Sequence, residues 1–288
     1  MKITLKAPAK INLYLDVGAR RPDGYHDIKS IMHTVDLCDT VTVDTDCDGI
    51  CLTCSDASLP TGRENLAYKA AEVFFAKSGI NAAARIHIEK RIPVCGGLAG
   101  GSTDAAAVLK GLNEAFEYPL NSDTLMRLGA ALGADVPFCI NGGCALCEGI
   151  GDRLTNLSPL SGVYCVIANG GEGVCTAKAY ADIDSRFGDS LYKDFGNFAA
   201  VLSAVKSGDI KGVCDCAYNI FEEVVLPRHS LAQRLKAELS LSSHGAMLSM
   251  MSGSGHSVFA LFDSEKKAAE AAEAVRTLGA DAHLCKLI

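Results

Sequence analysis

Apolar and polar residues alternate along Lys2–Lys6 and again along Ile11–Val17, and each run predicts a β-strand. The turn-rich run Arg21-Pro22-Asp23-Gly24 ends the second. Further strands are expected at Ser30–Leu37, Thr40–Val43 and Gly49–Cys54. Leu66, Ala70, Val73 and Phe74 recur at helical spacing, which predicts a helix over Asn65–Lys77 stopped by Gly79. Ala84–Lys90 alternates again, with Ile86 and Ile88 on one face. A glycine-rich run follows. After it comes an alanine-rich helix over Thr103–Phe116, with Ser102 and Asp104 supplying good N-terminal chemistry. Ser122–Leu132 reads as a short helix ended by Gly133. Ala134–Ile140 and Cys144–Glu148 read as strands around Asn141-Gly142-Gly143.

Turn residues cluster between Gly151 and Gly162. Beyond them the pattern gives a strand at Val163–Ala168, helices at Phe195–Lys206 and Ser230–Leu239, and strands at Ala246–Met250 and Ser257–Phe262. A helix at Ser264–Leu278 and a strand at Ala282–Leu287 complete it. That order predicts a ferredoxin-like βαββαβ layer with additions. The first half mixes neighbouring strands with helices and lacks regular βα alternation, so the fold class is α+β. A chain of 288 residues exceeds the usual single core, and the turn cluster divides it into domains 1–155 and 156–288.

Composition changes this picture little but narrows the function. A formal net charge of −7 without a basic stripe argues against nucleic acid as the main partner. No window is long and apolar enough to predict a membrane span. Met1–Leu15 carries Lys2, Lys6 and Lys10 and has no signal-peptide h-region, so a cytoplasmic location is expected. The 13 cysteines are then reduced thiols, mostly packed as small apolar groups. Two CxxC spacings occur, Cys51/Cys54 and Cys144/Cys147, both on predicted strands. Residues three apart on a strand face opposite ways, so a structural zinc knuckle is disfavoured.

The strongest chemical signal is Pro93-Val94-Cys95-Gly96-Gly97-Leu98-Ala99-Gly100-Gly101-Ser102-Thr103, between a strand and a helix. Glycine lets backbone approach a ligand closely, and consecutive amides at a helix start attract anions. Polyphosphate is the natural guest. No lysine follows the last glycine, so this is not a Walker A loop, and no βαβ pattern makes it a Rossmann fingerprint. The competing explanation is a turn packed against another backbone, which accounts for one or two glycines better than for four.

A loop without its own lysine needs a cation from elsewhere. Lys10, in Ala7-Pro8-Ala9-Lys10-Ile11-Asn12, is a candidate, although a solvent-facing lysine fits the same pattern. Asp135, in Gly133-Ala134-Asp135-Val136-Pro137-Phe138, is an acid in an apolar setting, suited to a turn or to accepting a hydroxyl proton. Arg20-Arg21-Pro22-Asp23-Gly24-Tyr25-His26 ends in two flat rings, which suit either a surface turn or stacking on a base. Ser252-Gly253-Ser254-Gly255 is a second glycine turn, either a plain hairpin or an anion contact.

Taken together, three motifs in order resemble the GHMP kinase superfamily: Ala7–Asn12, Gly96–Ser102 and Met251-Ser252-Gly253-Ser254-Gly255. The likeness covers nearly the whole chain. It implies two domains, the first like domain 2 of ribosomal protein S5 and carrying ATP binding and catalysis, the second ferredoxin-like. It also implies ATP-dependent phosphorylation of a small alcohol, with Mg²⁺. Arg21–His26, Gly133–Phe138 and Asn219-Ile220-Phe221-Glu222 most resemble the branch whose acceptor is a cytidyl diphosphate alcohol of the non-mevalonate isoprenoid route. On that likeness Asp135 takes the hydroxyl proton, and Lys10 orients the same oxygen and keeps Asp135 ionised. Tyr25 and His26 recognise cytosine, Asn12 belongs to the same pocket, and Thr176 and Tyr180 close its other side. The loop Pro93–Thr103 and Asn65 contact the nucleotide, and Ser102 is the candidate metal contact. A small-molecule substrate, no nucleic acid, no membrane, and a monomer or weak homodimer are expected. The rivals are another GHMP enzyme such as a homoserine kinase, or a non-catalytic nucleotide-binding sensor. His256-Ser257 stands where the family usually has Pro-Thr.

Overall fold

The computed structural model describes residues 1–171, 173–188, 191, 197–241 and 243–288. The chain forms two compact units. One comprises Met1–Ala9, Cys38–Ile92 and Ala99–Gly142. The other comprises Lys10–Leu37, Pro93–Leu98 and Gly143–Ile288. The segments 10–37 and 93–98 therefore group with the C-terminal part of the chain rather than with their sequence neighbours.

Two long strands, β1 (Lys2–Arg20) and β2 (His26–Asp44), contribute residues to both units. Each was expected as two shorter strands. The expected strands stopped at Lys6 and resumed at Ile11 in the first, and stopped at Leu37 and resumed at Thr40 in the second. However, Ala7, Ala9, Lys10 and Asp39 are all buried, so the chain stays extended through these positions.

In the first unit, β3 (Gly49–Cys54) pairs parallel with β4 (Ala83–Glu89), and β4 pairs antiparallel with Thr40–Asp44 of β2. Helix α1 (Leu66–Ser78) packs against α2 (Gly100–Ala115), burying Ala70, Phe74, Val108 and Leu112. The ends of α1 have clear chemical causes. Asn65 Oδ1 accepts the Ala67 amide, and Gly79 closes the helix at φ 72°. Helix α3 (Ser122–Leu132) is capped in the same way by Asn121.

One expectation fails here. Ala134–Ile140 is not a strand: Val136–Asn141 form the short helix α4. Pro137 sits in its first turn, where a missing amide hydrogen costs nothing, and Gly142 ends it at φ 72°. A short apolar run has no period that separates the two choices.

In the second unit, β5 (Cys144–Glu148) pairs with Ser30–His33 of β2 and with β6 (Arg153–Leu157). A separate antiparallel sheet has the order β11 (Asp281–Lys286), β7 (Tyr164–Asn169), β10 (Val258–Phe262), β9 (Leu248–Met251). This is the ferredoxin-like arrangement that the element order predicted. Helices α5 (Thr176–Phe187), α6 (Phe198–Ser207), α7 (Ile210–Cys216), α8 (Glu222–Val225) and α9 (Ser230–Leu239) lie between β7 and β9 in the chain. Residues 195–196 of the helix expected at Phe195–Lys206 lie outside the described residues. The two-residue strand β8 (Tyr218–Asn219) pairs parallel with Tyr14–Leu15 of β1. Helix α10 (Glu265–Thr277) covers the sheet with Ala268, Ala271, Ala272 and Val275. Among the described residues no helix is long and apolar enough to cross a membrane.

Candidate active site

Pro93–Leu98, the first part of the glycine loop, belongs to the second unit and is interlocked there with the turn 251–255. A Cβ on Gly97 (φ 77°) would stand 2.0 Å from Ser252 O, and one on Gly255 would stand 2.3 Å from the Gly97 amide nitrogen. A Cβ on Gly96 would meet Ser257 Oγ at 2.3 Å. Neither backbone leaves room for a side chain on the other. Ser252 Oγ also donates to Gly97 O at 3.1 Å. Asn169 secures the same corner, donating to Ser257 Oγ at 2.8 Å and accepting from His256 Nε2 at 3.2 Å. The two rival readings of the glycines thus divide them. Gly96 and Gly97 are required by backbone packing, whereas a Cβ on Gly101 would meet nothing closer than 3.9 Å.

Lys10 lies on β1 in this unit and is 4 % exposed, so it is not a solvent-facing lysine. Its amide donates to Leu98 O at 3.2 Å, and its Nζ donates to Asn12 Oδ1 at 2.7 Å. Asn12 Nδ2 in turn donates to Ser30 Oγ, which donates to Tyr14 O, each at 2.8 Å. A Cβ on Gly253 would lie 3.3 Å from Lys10 Nζ. Lys10 is therefore fixed beside both glycine turns, with Asn12 setting its direction.

The predicted base-recognition residues also lie in the second unit. Tyr25 is 61 % exposed and closes its turn, where its carbonyl accepts the Arg21 amide at 2.6 Å. His26 is buried, stacks on Tyr180 at 5.1 Å and 23°, and bonds through Nε2 to Asp184 Oδ1 at 2.7 Å. A carboxylate only accepts, so Nε2 carries the hydrogen. Tyr180 is buttressed edge-on by Phe221 at 4.9 Å. Thr176 Oγ1 meets Ser254 Oγ at 3.0 Å. Thr176, Tyr180 and Asp184 are spaced i, i+4, i+8 on α5 and so share one face. Sequence reasoning missed Asp184, although the four-residue spacing of Thr176 and Tyr180 already pointed to a helix that would present it.

In the first unit, the rest of the loop enters α2 earlier than expected, at Gly100 rather than Thr103. Gly100, Gly101 and Ser102 thus form the first turn, whose amides lack intrahelical partners and favour an anion. Positive φ is carried by Cys95 (56°) and Ala99 (61°) as well as by Gly97. Thr103 Oγ1 and Asp104 Oδ1 are buried without a hydrogen-bond partner just inside the helix. The other Asp104 oxygen accepts from Lys90 Nζ at 2.7 Å, and Lys90 also bonds to Asp39. Asp39 accepts from the Arg91 and Ile92 amides at 2.5 and 2.8 Å. This buried triad ties the chain before the loop to the helix after it. Burial and the neighbouring Asp39 carboxylate raise Asp104, against the pull of Lys90, to a pKa of about 7.

Asp135 also belongs to the first unit, as the half-buried residue preceding α4, and its carboxylate makes no capping bond. Asn65 uses both ends of its amide locally, through Ala67 N and Pro60 O. Among the described residues no group of three His, Cys, Asp or Glu side chains is placed to hold a metal ion.

Residues 65–143 match the model of the GHMP kinases N terminal domain, and residues 201–281 match that of the GHMP kinases C terminal domain. A 4-diphosphocytidyl-2-C-methyl-D-erythritol kinase of Caldicellulosiruptor bescii is 43 % identical over 273 residues, covering 94 % of this chain and 93 % of that protein. A crystal structure of 4-(cytidine 5'-diphospho)-2C-methyl-D-erythritol kinase superposes with a TM-score of 0.83 at 32 % identity, covering 99 % of both chains. A homoserine kinase from Cytophaga hutchinsonii superposes at 0.79 with 19 % identity, covering 100 % of this chain and 94 % of that one, and so shares the fold.

Proposed function

The chain belongs to the GHMP kinases, and among them to the 4-diphosphocytidyl-2-C-methyl-D-erythritol kinases; from that membership we propose that it transfers the γ-phosphoryl group of ATP to the 2-hydroxyl of 4-diphosphocytidyl-2-C-methyl-D-erythritol, in the non-mevalonate route to isoprenoid precursors. The observation that carries the reading is identity of 43 % across nearly the full length of both proteins. The division at 155/156, with ATP binding and catalysis in residues 1–155, the cytoplasmic location, and a monomeric or weakly dimeric state are parts of the same proposal.

Asp135 accepts the hydroxyl proton while that oxygen forms a bond to the γ-phosphorus. The bond to the β-phosphate oxygen breaks, and ADP leaves with the electron pair. A tertiary alcohol is a poor nucleophile, and general-base help of this kind is worth about 10²–10⁴ in rate. A carboxylate without a capping bond is available for that task. Lys10 orients the accepting oxygen, and its firm hold by Asn12 and the Leu98 carbonyl supports a positioning duty. The Gly100–Ser102 amides and the α2 dipole bind the phosphates, and Pro93–Thr103 with Asn65 surround the nucleotide. Bound Mg²⁺ supplies charge neutralisation on the phosphate oxygens. Tyr25 stacks on cytosine, and Asp184 fixes the His26 ring that hydrogen-bonds to it, with Thr176 and Tyr180 on the other side.

An ADP-release assay with the cytidyl substrate beside homoserine, mevalonate and galactose tests the reading. Turnover confined to the cytidyl compound is expected. Turnover of homoserine instead would transfer the chain to the rival enzyme, and ATP binding without any turnover would make it a sensor.

A further inference from the structure

Asn219 and Glu222 have no part in the reaction as derived so far, yet they grip the second glycine turn at three backbone atoms. Asn219 is 2 % exposed and ends β8, where the Ile220 amide donates to Leu15 O at 3.0 Å. Its amide nitrogen donates to Met251 O at 2.7 Å and to Gly253 O at 2.9 Å. Its oxygen accepts the Phe221 amide at 3.0 Å. Two carbonyl acceptors on one side require the NH₂ group there, so the amide orientation is fixed by chemistry. Glu222 Oε1 accepts the Met251 amide at 2.8 Å, and its other oxygen takes Lys236 Nζ at 2.5 Å.

The opposite side of that turn touches the reaction machinery. Ser252 Oγ holds Gly97 O, Gly97 and Gly255 leave no room for a side chain between them, and Gly253 lies against Lys10 Nζ. Close-packed backbones transmit displacement because no soft side chain lies between them to absorb it. We infer that Asn219 and Glu222 are positioning residues that set the phosphate loop and Lys10 through the turn 251–255. They touch no reacting atom. The inference deepens the proposed function and rests on it for the identity of the phosphoryl acceptor.

Asn219→Asp is the informative change, because it keeps the acceptor for Phe221 and turns an oxygen toward two carbonyls. Small misplacements of a reacting geometry cost up to about 10²-fold in rate. The expected result is a fall of about ten- to a hundred-fold in kcat/KM for ATP, with lower kcat and raised ATP KM. The KM for the cytidyl substrate should rise less than that for ATP, since Asn219→Asp keeps the bond to Phe221 and the turn reaches that pocket only at its edge, through the Ser254–Thr176 hydroxyl contact. A purely structural role would lower the folded fraction without this split between substrates. Glu222→Leu should give the same pattern, and it carries the test alone if Asn219→Asp does not fold. Lys236→Met removes the ion pair without loosening Met251, and should leave ATP kinetics unchanged. Wild-type ATP kinetics in a folded Asn219→Asp or Glu222→Leu variant would overturn the inference, as would equal losses for both substrates. An inactive wild-type protein would instead defeat the proposed function. Calorimetric ATP binding would then still test the positioning role, with weaker binding in the two variants expected and unchanged binding overturning it.

Discussion

Substituting Gly97 by alanine should separate the two uses of the glycine loop. A Cβ there would stand 2.0 Å from Ser252 O, whereas real Cβ contacts essentially never fall below 3.0 Å. One turn must therefore withdraw by about 1 Å, and a misplacement of that size costs about 10²-fold in rate. The residue also sits at φ 77°, where a side chain costs about 1–2 kcal/mol. Withdrawal breaks the Ser252 hydroxyl bond to Gly97 O, worth about 0.5–1.5 kcal/mol net. A stability loss of about 1.5–3.5 kcal/mol follows from these contributions together. Urea unfolding and steady-state kinetics at saturating ATP measure both effects. Gly101→Ala is the contrast, because its added Cβ meets nothing within 3.9 Å and the position is helical. It should leave stability unchanged or raise it by about 0.4–1 kcal/mol, while raising ATP KM by crowding the phosphates. Wild-type stability and turnover in Gly97→Ala would refute the interlock. Unchanged ATP KM in Gly101→Ala would refute close phosphate approach at that residue.

Three further outcomes are expected. Asp135→Asn should lower kcat by about two to four decades while calorimetry still detects ATP binding, and near-normal turnover would remove the general-base assignment. Tyr25→Ala should weaken cytidyl-substrate binding by about 1–3 kcal/mol, the range for base–aromatic stacking; an unchanged dissociation constant would take Tyr25 out of the pocket. Asp104, facing Lys90 and Asp39, titrates near 7 in the folded chain against 3.8 as an ordinary carboxyl. Between those values the folded state holds a proton that the unfolded state has released, so this group makes stability fall as pH rises from about 4 to 7. Lys90, itself raised above its ordinary value, stays charged throughout. Asp104→Asn should flatten that slope when urea midpoints are compared at pH 5 and pH 8, and an equal slope in both proteins would sink the assignment.

Sequence pattern located most elements, and its misses have physical causes. Helices bounded by their own chemistry, such as the Asn65-to-Gly79 span of α1, were legible because cap and stop lie within the segment. Helix α4 was not, because six apolar-rich residues around Pro137 carry no decisive period. The start of α2 was hidden because glycine has poor intrinsic helix propensity, yet Gly100 and Gly101 form its first turn. Lys10 was ambiguous by pattern alone, and only its burial against Asn12 and Leu98 decides its environment. The triad of Asp39, Lys90 and Asp104 joins residues 51 and 14 apart, with no local signal linking them. Asn219 and Glu222 were visible as a motif, but their partner turn lies 29–34 residues away, so their work could not be read from the segment itself.

The interlock between Gly97 and the turn at Ser252 joins positions 155 residues apart in the chain. A ribosome therefore delivers the loop long before it delivers the surface that moulds it. Until residues 251–257 have been made and folded, Gly96 and Gly97 lack the surface against which they pack. The final shape of Pro93–Leu98 is then set only after residue 255 has been delivered.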